Sequence, residues 1–428
     1  MKRTILRATT ALLAVLMTVG LCGCEIDVAV ATLPQQATTA TGNGDVWDGA
    51  GTLSTSTTSV QTLPTTTTPA YATLTPVYHD SKYVNEHGIY HTLKGYCYGT
   101  VYQVEEWLPV IGYLRGGKVV DTMYTSMSIM PSPSHVYWGA FNTKEEWDTW
   151  REHTYENLGT LNTAAKEVQK ALNLKEHKIK VFLTLVNPTN AADNPNYYDN
   201  WGTLNGTAMD VSSKEHRYQM LKYMIDSYVA EFTQKEYENV DFAGFYWFDE
   251  YIVSADLDLY NRVTDYIRSL GKITMISPFY KATGWTLCDE AGFDLHSMQS
   301  NYFPTGIVGS MNCGTERRLA ANAREINAGN IGGIEMELDS TNHKDAITGW
   351  KQTMKVGVET GIVNGYHVHY CGEGPRSIYK LAISADSYYR STYDELYKYM
   401  HNVLTVDQIR IDPLEKEQAW ADGAVDWV

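Results

Sequence analysis

Between Leu93 and Leu404 the chain alternates short apolar runs with longer stretches of helical period, and it does so through eight strand-like segments. The strands are read at Leu93–Val101, Val119–Met130, Lys178–Val186, Phe242–Asp249, Ile273–Phe279, Asp294–Tyr302, Gly332–Leu338 and Gly365–Cys371. Helices are read between them, at Glu105–Leu114, Lys144–Leu172 with a break near Gly159, Ser213–Tyr237, Leu257–Leu270, Glu316–Asn327 and Lys344–Thr360, and one more from Arg376 that extends into Asp394–Leu404. Alternation of this kind predicts a parallel sheet, because consecutive parallel strands need a long crossover and a helix supplies it. Eight repeats predict an α/β fold closed into a (β/α)8 TIM barrel. An open doubly wound sheet is the alternative. The chain has neither a GxGxxG after its first strand nor a P-loop, which speaks against it.

The residues ahead of this pattern are of two other kinds. Lys2, Arg3 and Arg7 precede an apolar run from Ala8 to Gly20, which leads to Leu21-Cys22-Gly23-Cys24. Charge, short apolar run and cysteine in that order describe an export signal, and the run is short for a membrane span. The segment resembles the bacterial lipobox, which implies that residues 1–24 are a lipoprotein signal peptide and that Cys24 carries lipid. Residues 25–78 contain no Lys or Arg and are dominated by Thr, Ser, Ala, Gly and Pro, as in Thr65-Thr66-Thr67-Thr68-Pro69. So few large apolar side chains do not offset the entropy of ordering, and this stretch is expected to be a disordered spacer. The folded domain is placed at 79–428. The expected location is extracytoplasmic, at the cell surface, anchored to the membrane through the N-terminal lipid.

A net charge of −16 argues against a nucleic-acid partner, which would require a basic face. Beyond Cys22 and Cys24, four cysteines remain: Cys97, Cys288, Cys313 and Cys371. They form no zinc-binding spacing, and their three possible disulfide pairings stay open.

In a TIM barrel the chemistry sits at the C-terminal ends of the strands. Those ends read Tyr246-Trp247-Phe248-Asp249-Glu250, Ser277-Pro278-Phe279-Tyr280, Gln299-Ser300-Asn301-Tyr302, Ile334-Glu335-Met336-Glu337-Leu338 and His367-Val368-His369-Tyr370. Glu250 follows an apolar strand, where a charge is costly unless paired or used. Glu335 and Glu337 share one face of their strand, opposite Ile334, Met336 and Leu338, and that face is predicted to point into the barrel. Glu337 is nearer the rim, with Glu335 as its rival. Trp247, Tyr280, Tyr302, Tyr370 and Trp201 are candidate sugar platforms, since flat side chains suit the apolar faces of sugar rings. Asp249, Asn187 and Asn301 are candidate polar contacts. His367 and His369 alternate on their strand, where both can point inward to a sugar or to Glu337, with a satisfied core histidine the alternative for at least one of them. No metal-binding motif accompanies them, and neither a metal nor another cofactor is expected.

Carboxylates ending the fourth and seventh strands resemble the retaining (β/α)8 glycoside hydrolases. That resemblance implies Glu250 as general acid/base, Glu337 as nucleophile and an oligo- or polysaccharide as partner. It has one departure: Asp249 stands where that superfamily usually has Asn. More narrowly, Gly244-Phe245-Tyr246-Trp247-Phe248-Asp249-Glu250 resembles the signature of a family of uncharacterised bacterial proteins with a domain of unknown function. The competing reading is a non-catalytic glycan-binding lipoprotein on the same barrel.

Overall fold

The computed structural model describes residues 86–97, 99–130, 143–188, 201–304 and 316–414. The export segment with Cys24, the spacer, Cys313 and most of the loop before Trp201 lie outside these residues.

Nine parallel strands form one sheet: β1 His91–Tyr96, β2 Ser126–Met130, β3 Ile179–Leu185, β4 Val240–Trp247, β5 Ile273–Ile276, β6 Leu295–His296, β7 Met298–Gln299, β8 Gly333–Leu338 and β9 Tyr366–Cys371. Their order is β6-β5-β4-β3-β2-β1-β9-β8-β7. The two ends of that order are neighbours in the chain, with Ser297 alone between them. β6 pairs with β5 and β7 pairs with β8, so the barrel closes through an interrupted sixth strand. The single strand read at Asp294–Tyr302 is therefore two short pieces. The run read at Val119–Met130 also divides. Lys118–Thr122 pairs antiparallel with Gly112–Arg115 as a hairpin, and only Ser126–Met130 enters the barrel.

The helices are α1 Val104–Ile111, α2 Lys144–Leu172, α3 Lys214–Lys235, α4 Leu257–Ser269, α5 Glu316–Asn327, α6 Lys344–Thr360, α7 Pro375–Ile383 and α8 Ser387–Met400. α2 starts at a capping box in which Thr143 and Glu146 satisfy each other's backbone N–H groups. It runs without a break through Gly159, because buried Leu158 and Leu161 on either side hold that turn to the core. Ser213 caps α3 by accepting from the His216 N–H. The final helix divides at 384–386, where Asp386 caps α8 by accepting from the Tyr388 N–H. Among the described residues no helix is long and apolar enough to cross a membrane.

The strand pairings fix which side chains face the barrel axis, because register partners in a parallel sheet share a face. Lys94 is level with Ser128 and Tyr370, Glu337 with Tyr370, and Tyr246 with Thr184 and Met275. These residues point inward and make the barrel interior strongly polar. Leu93, Ile129, Leu183, Phe245, Met336 and their neighbours point outward and form the buried apolar layer under the helices. Gly244 sits on the inward face beside a register shift between β3 and β4. A Cβ there would collide with the Ile273 backbone, so the close approach of β4 and β5 requires glycine.

Candidate functional site

The acidic residues converge at the C-terminal mouth of the barrel. Lys94, buried on β1, holds its ammonium 2.6 Å from Glu335 Oε2 on β8 and 3.9 Å from Glu250 Oε1 after β4. The Ser277 hydroxyl, after β5, donates to the same Glu335 oxygen. Glu337 lies two residues further along β8, about 7 Å nearer the rim. Its Oε2 accepts from Ser300 Oγ at 2.8 Å and from the Asn301 backbone N–H. Glu250 is bonded by Gln299. The Glu250 backbone carbonyl also accepts from the Phe279 N–H at 3.1 Å, which ties the turn after β4 to the turn after β5. Asp249 accepts from the Asn187 N–H at 2.9 Å, joining the ends of β3 and β4. Glu250 is the most open of the barrel glutamates, with its side chain 22% exposed against 2% for Glu335, while Glu337 is buried.

This crowding changes the acids. Burial raises Glu250, the Lys94 ammonium pulls it back and the Glu335 charge raises it again, to about 7. Burial and then the Glu335 charge push Glu337 up to about 8, against the pull of its Ser300 and Asn301 donors. Burial lifts Asp249 to about 6, opposed by the Asn187 N–H. Burial alone would lower Lys94, but the carboxylate of Glu335, with Tyr246 and Glu250, overcomes it and holds the ammonium firmly charged. The mouth thus has one fixed ion pair at its floor and two acids above it that hold protons near neutrality.

Several residues expected here lie elsewhere. Trp201 is fully buried, edge-on to Trp147 and Tyr223, and anchors α2 and α3 instead of reaching over the rim. Trp247 points away from the axis and packs edge-on to Tyr260 and Phe293, because Tyr246 takes the inward position. Tyr302 is buried against α6, where its hydroxyl donates to Gln352. Tyr280 packs with Met298 and Ile331 on the outer face of the barrel, under the Arg318 guanidinium. His367 and His369 turn outward too. His367 bonds Tyr399 at 2.9 Å, and His369 bonds His91 at 3.0 Å. Both strand faces of Tyr366–Cys371 carry large side chains, so the sequence offered no apolar contrast to set their direction.

Tyr370 does face the mouth, edge-on to Tyr96 with ring centroids 5.7 Å apart. Asn301 acts through its backbone on Glu337, while its side chain accepts from the Tyr280 N–H. Asn187 Oδ1 is buried with no hydrogen-bond partner among the described residues. The sequence reading did not single out Lys94, Ser277, Gln299, Ser300 or Tyr96. Lys94 had a signal: a lysine inside a six-residue strand, on the same face as Thr92 and Tyr96, is rare unless it has a buried partner. Among the described residues no group of three or more His, Cys, Asp or Glu side chains is arranged to hold a metal ion. Cys97, Cys288 and Cys371 are buried free thiols.

The strand pairings and the acidic mouth define a (β/α)8 barrel protein with its candidate site at the C-terminal face. Residues 92–398 match DUF4855, a domain of unknown function, and the chain belongs to that family. None of the curated proteins matches the chain. Among solved structures it is similar to a Bacteroides ovatus GH5 xyloglucanase in complex with a heptasaccharide, at 11% identity and a TM-score of 0.40, covering 76% of this chain and 78% of that one. A GH5 xyloglucan-specific β-1,4-glucanase from a ruminal metagenomic library is 9% identical, with a TM-score of 0.40 and coverage of 79% and 99%. A xylanase–α-amylase inhibitor protein in complex with trehalose is 12% identical, with a TM-score of 0.34 and coverage of 73% and 98%. The barrel assignment itself rests on the strand pairings.

Proposed function

We propose that this protein hydrolyses glycosidic bonds, with Glu250 as proton donor and Glu337 as nucleophile. The observation that supports the reading is that Glu250, after β4, lies 3.9 Å from the Lys94 ammonium that pairs with Glu335 on β8, with Glu337 two residues beyond Glu335 on the same inward face of that strand. Glycoside hydrolysis needs one carboxyl group that is protonated and one that is ionised. Glu250 fits the donor role. It is the more exposed of the two and is raised to about 7, so it holds a proton near neutrality and can pass it to a leaving oxygen. Glu337 fits the nucleophile role. Two donors, Ser300 and Asn301, converge on one of its oxygens and favour the anion, but burial and the Glu335 charge outweigh them, so the attacking anion is a minority form near neutrality. Glu335 is read instead as the charge partner of Lys94, because it lies deeper on β8 than Glu337 and is buried. Tyr96 and Tyr370 offer ring faces to a sugar, and Asn187 Oδ1 offers an acceptor to a hydroxyl.

The N-terminal sequence supports a further part of the reading: an exported lipoprotein, lipidated at Cys24 and held at the cell surface by the 25–78 spacer. Labelled palmitate should enter the wild type and be absent from Cys24→Ala.

The test of the enzymatic reading is a panel of oligo- and polysaccharides offered to the wild type, Glu250→Gln and Glu337→Gln. Turnover by the wild type, with loss of roughly a thousandfold or more in either variant and retained glycan binding, is the expected result. Binding without turnover by the wild type would reassign the barrel to glycan recognition alone.

A further inference from the structure

We propose that Lys94 is the positioning cation of this site: by pairing with Glu335 it fixes one negative charge at the barrel floor and thereby sets the pH at which Glu250 releases its proton. The inference deepens the hydrolase reading and rests on Glu250 as the proton donor.

The geometry is specific. A lysine on β1 reaches across the barrel to β8, and its ammonium lies between two carboxylates at unequal distances, 2.6 Å from Glu335 and 3.9 Å from Glu250. Its side chain is only 1% exposed, so water does not screen the pair. The Lys94 ammonium also lies 5.0 Å from the centre of the Tyr246 ring. The groups that bear on Glu250 come from four strands or their ends. Lys94 faces it from β1, Glu335 stands on β8, Tyr246 and Asp249 belong to its own segment, and Gln299 bonds it from β7. Tyr366 on β9 adds a neutral phenol near Lys94 and Glu335. Lys94 is the one cation among these groups. Its attraction and the repulsion from Glu335 act on Glu250 with opposite sign. While Glu250 holds its proton, the ammonium is closest to Glu335. Once the proton has gone to the leaving oxygen, the new Glu250 anion has the same ammonium beside it, and the cost of burying that charge is reduced. No group has to enter or leave the site for this exchange.

Two substitutions separate this role from simple scaffolding, because they move Glu250 in opposite directions. Lys94→Met removes the attraction and leaves Glu335 bare, so the Glu250 midpoint rises. Glu335→Gln removes the repulsion and frees the ammonium for Glu250, so the midpoint falls. The experiment is a pH titration of the whole protein labelled with carboxyl-13C glutamate, followed by NMR, with the Glu250 signal identified by its absence in Glu250→Gln. The expected shifts are at least one pH unit upward for Lys94→Met and downward for Glu335→Gln, with the double variant returning towards the wild type. A Glu250 midpoint that stays fixed in Glu335→Gln, or moves the same way in both variants, overturns the proposal. Should Lys94→Met fail to fold, the double variant, which removes both members of the buried pair, takes its place: its Glu250 midpoint must lie above that of Glu335→Gln, and an equal midpoint overturns the proposal. The titration needs no substrate, so it stands or falls separately from turnover on glycans.

Discussion

Ser300 Oγ lies 2.8 Å from Glu337 Oε2 and donates to it, so the residue just after β7 fixes the orientation of the carboxylate at the top of β8. A hydrogen bond to a charged group contributes about 1.5–3 kcal/mol. Ser300→Ala therefore disfavours the Glu337 anion while leaving the Asn301 donor in place. It should lower kcat/KM at neutral pH by roughly tenfold or more and move the optimum to higher pH, with an unchanged circular dichroism spectrum. An unaltered pH–rate profile would show that Ser300 has no hold on the nucleophile.

The two acids also predict the shape of that profile. In the proposed reaction the productive form has Glu250 protonated and Glu337 ionised. Glu337 loses its proton at about 8 and Glu250 at about 7, so activity rises as Glu337 ionises and falls as Glu250 does. The productive form is then a minority species, and kcat/KM should peak narrowly between about pH 7 and 8. A broad optimum well into the acidic range would contradict the environments assigned to both carboxyl groups.

The aromatic residues divide into core and mouth, and substitution separates them. Trp201 is fully buried against Trp147 and Tyr223. Trp201→Ala should cost about 3–5 kcal/mol in denaturant-induced unfolding. Tyr370→Ala, at the mouth, should weaken glycan affinity with little change in unfolding midpoint. A Trp201→Ala protein as stable as the wild type would return that residue to the surface.

The outward-facing histidines give a stability prediction. Burial lowers His367 to about 4, and burial with neighbouring imidazoles lowers His91 and His369 as well. In the unfolded chain histidine takes up its proton near pH 6.5. The stabilising contribution of a neutral His367 is therefore complete above about pH 6.5 and is lost as the pH falls towards 4, at roughly 1.4 kcal/mol per pH unit for this one group. Urea unfolding at pH 7 and pH 5 measures it, and His367→Leu should show a shallower dependence on pH. Equal slopes in the two proteins would mean that His367 takes up its proton at the same pH in the folded and the unfolded chain.

The parts of this architecture that were legible in the sequence share one property: a strong contrast between neighbouring positions. β8 alternates glutamate with Ile, Met and Leu, and the inward direction of Glu335 and Glu337 follows from that pattern. α5 and α6 begin and end where the sequence placed them, with Gly361 closing α6 in a left-handed conformation. β9 reads Tyr-His-Val-His-Tyr-Cys, with little apolar contrast between its faces, so the pattern leaves open whether its two histidines face a sugar or the core, where the structure puts both. The sixth strand reads as continuous because no glycine or proline breaks the run from Asp294 to Tyr302. Its interruption at Ser297 comes from the closure of the barrel, which no local pattern records. Lys94 went unnoticed for a related reason: its partners Glu335 and Glu250 are distant in the chain, and only the closed sheet brings them to it.

The account turns on Glu337 as the group that attacks the sugar. A 2-deoxy-2-fluoro glycoside of a sugar that the protein hydrolyses would trap the covalent intermediate, and peptide mass mapping would locate it. The account predicts one sugar per protein on the peptide that contains Glu337, and none on Glu337→Gln. A label on Glu335 or Glu250, or full turnover by Glu337→Gln, would contradict it.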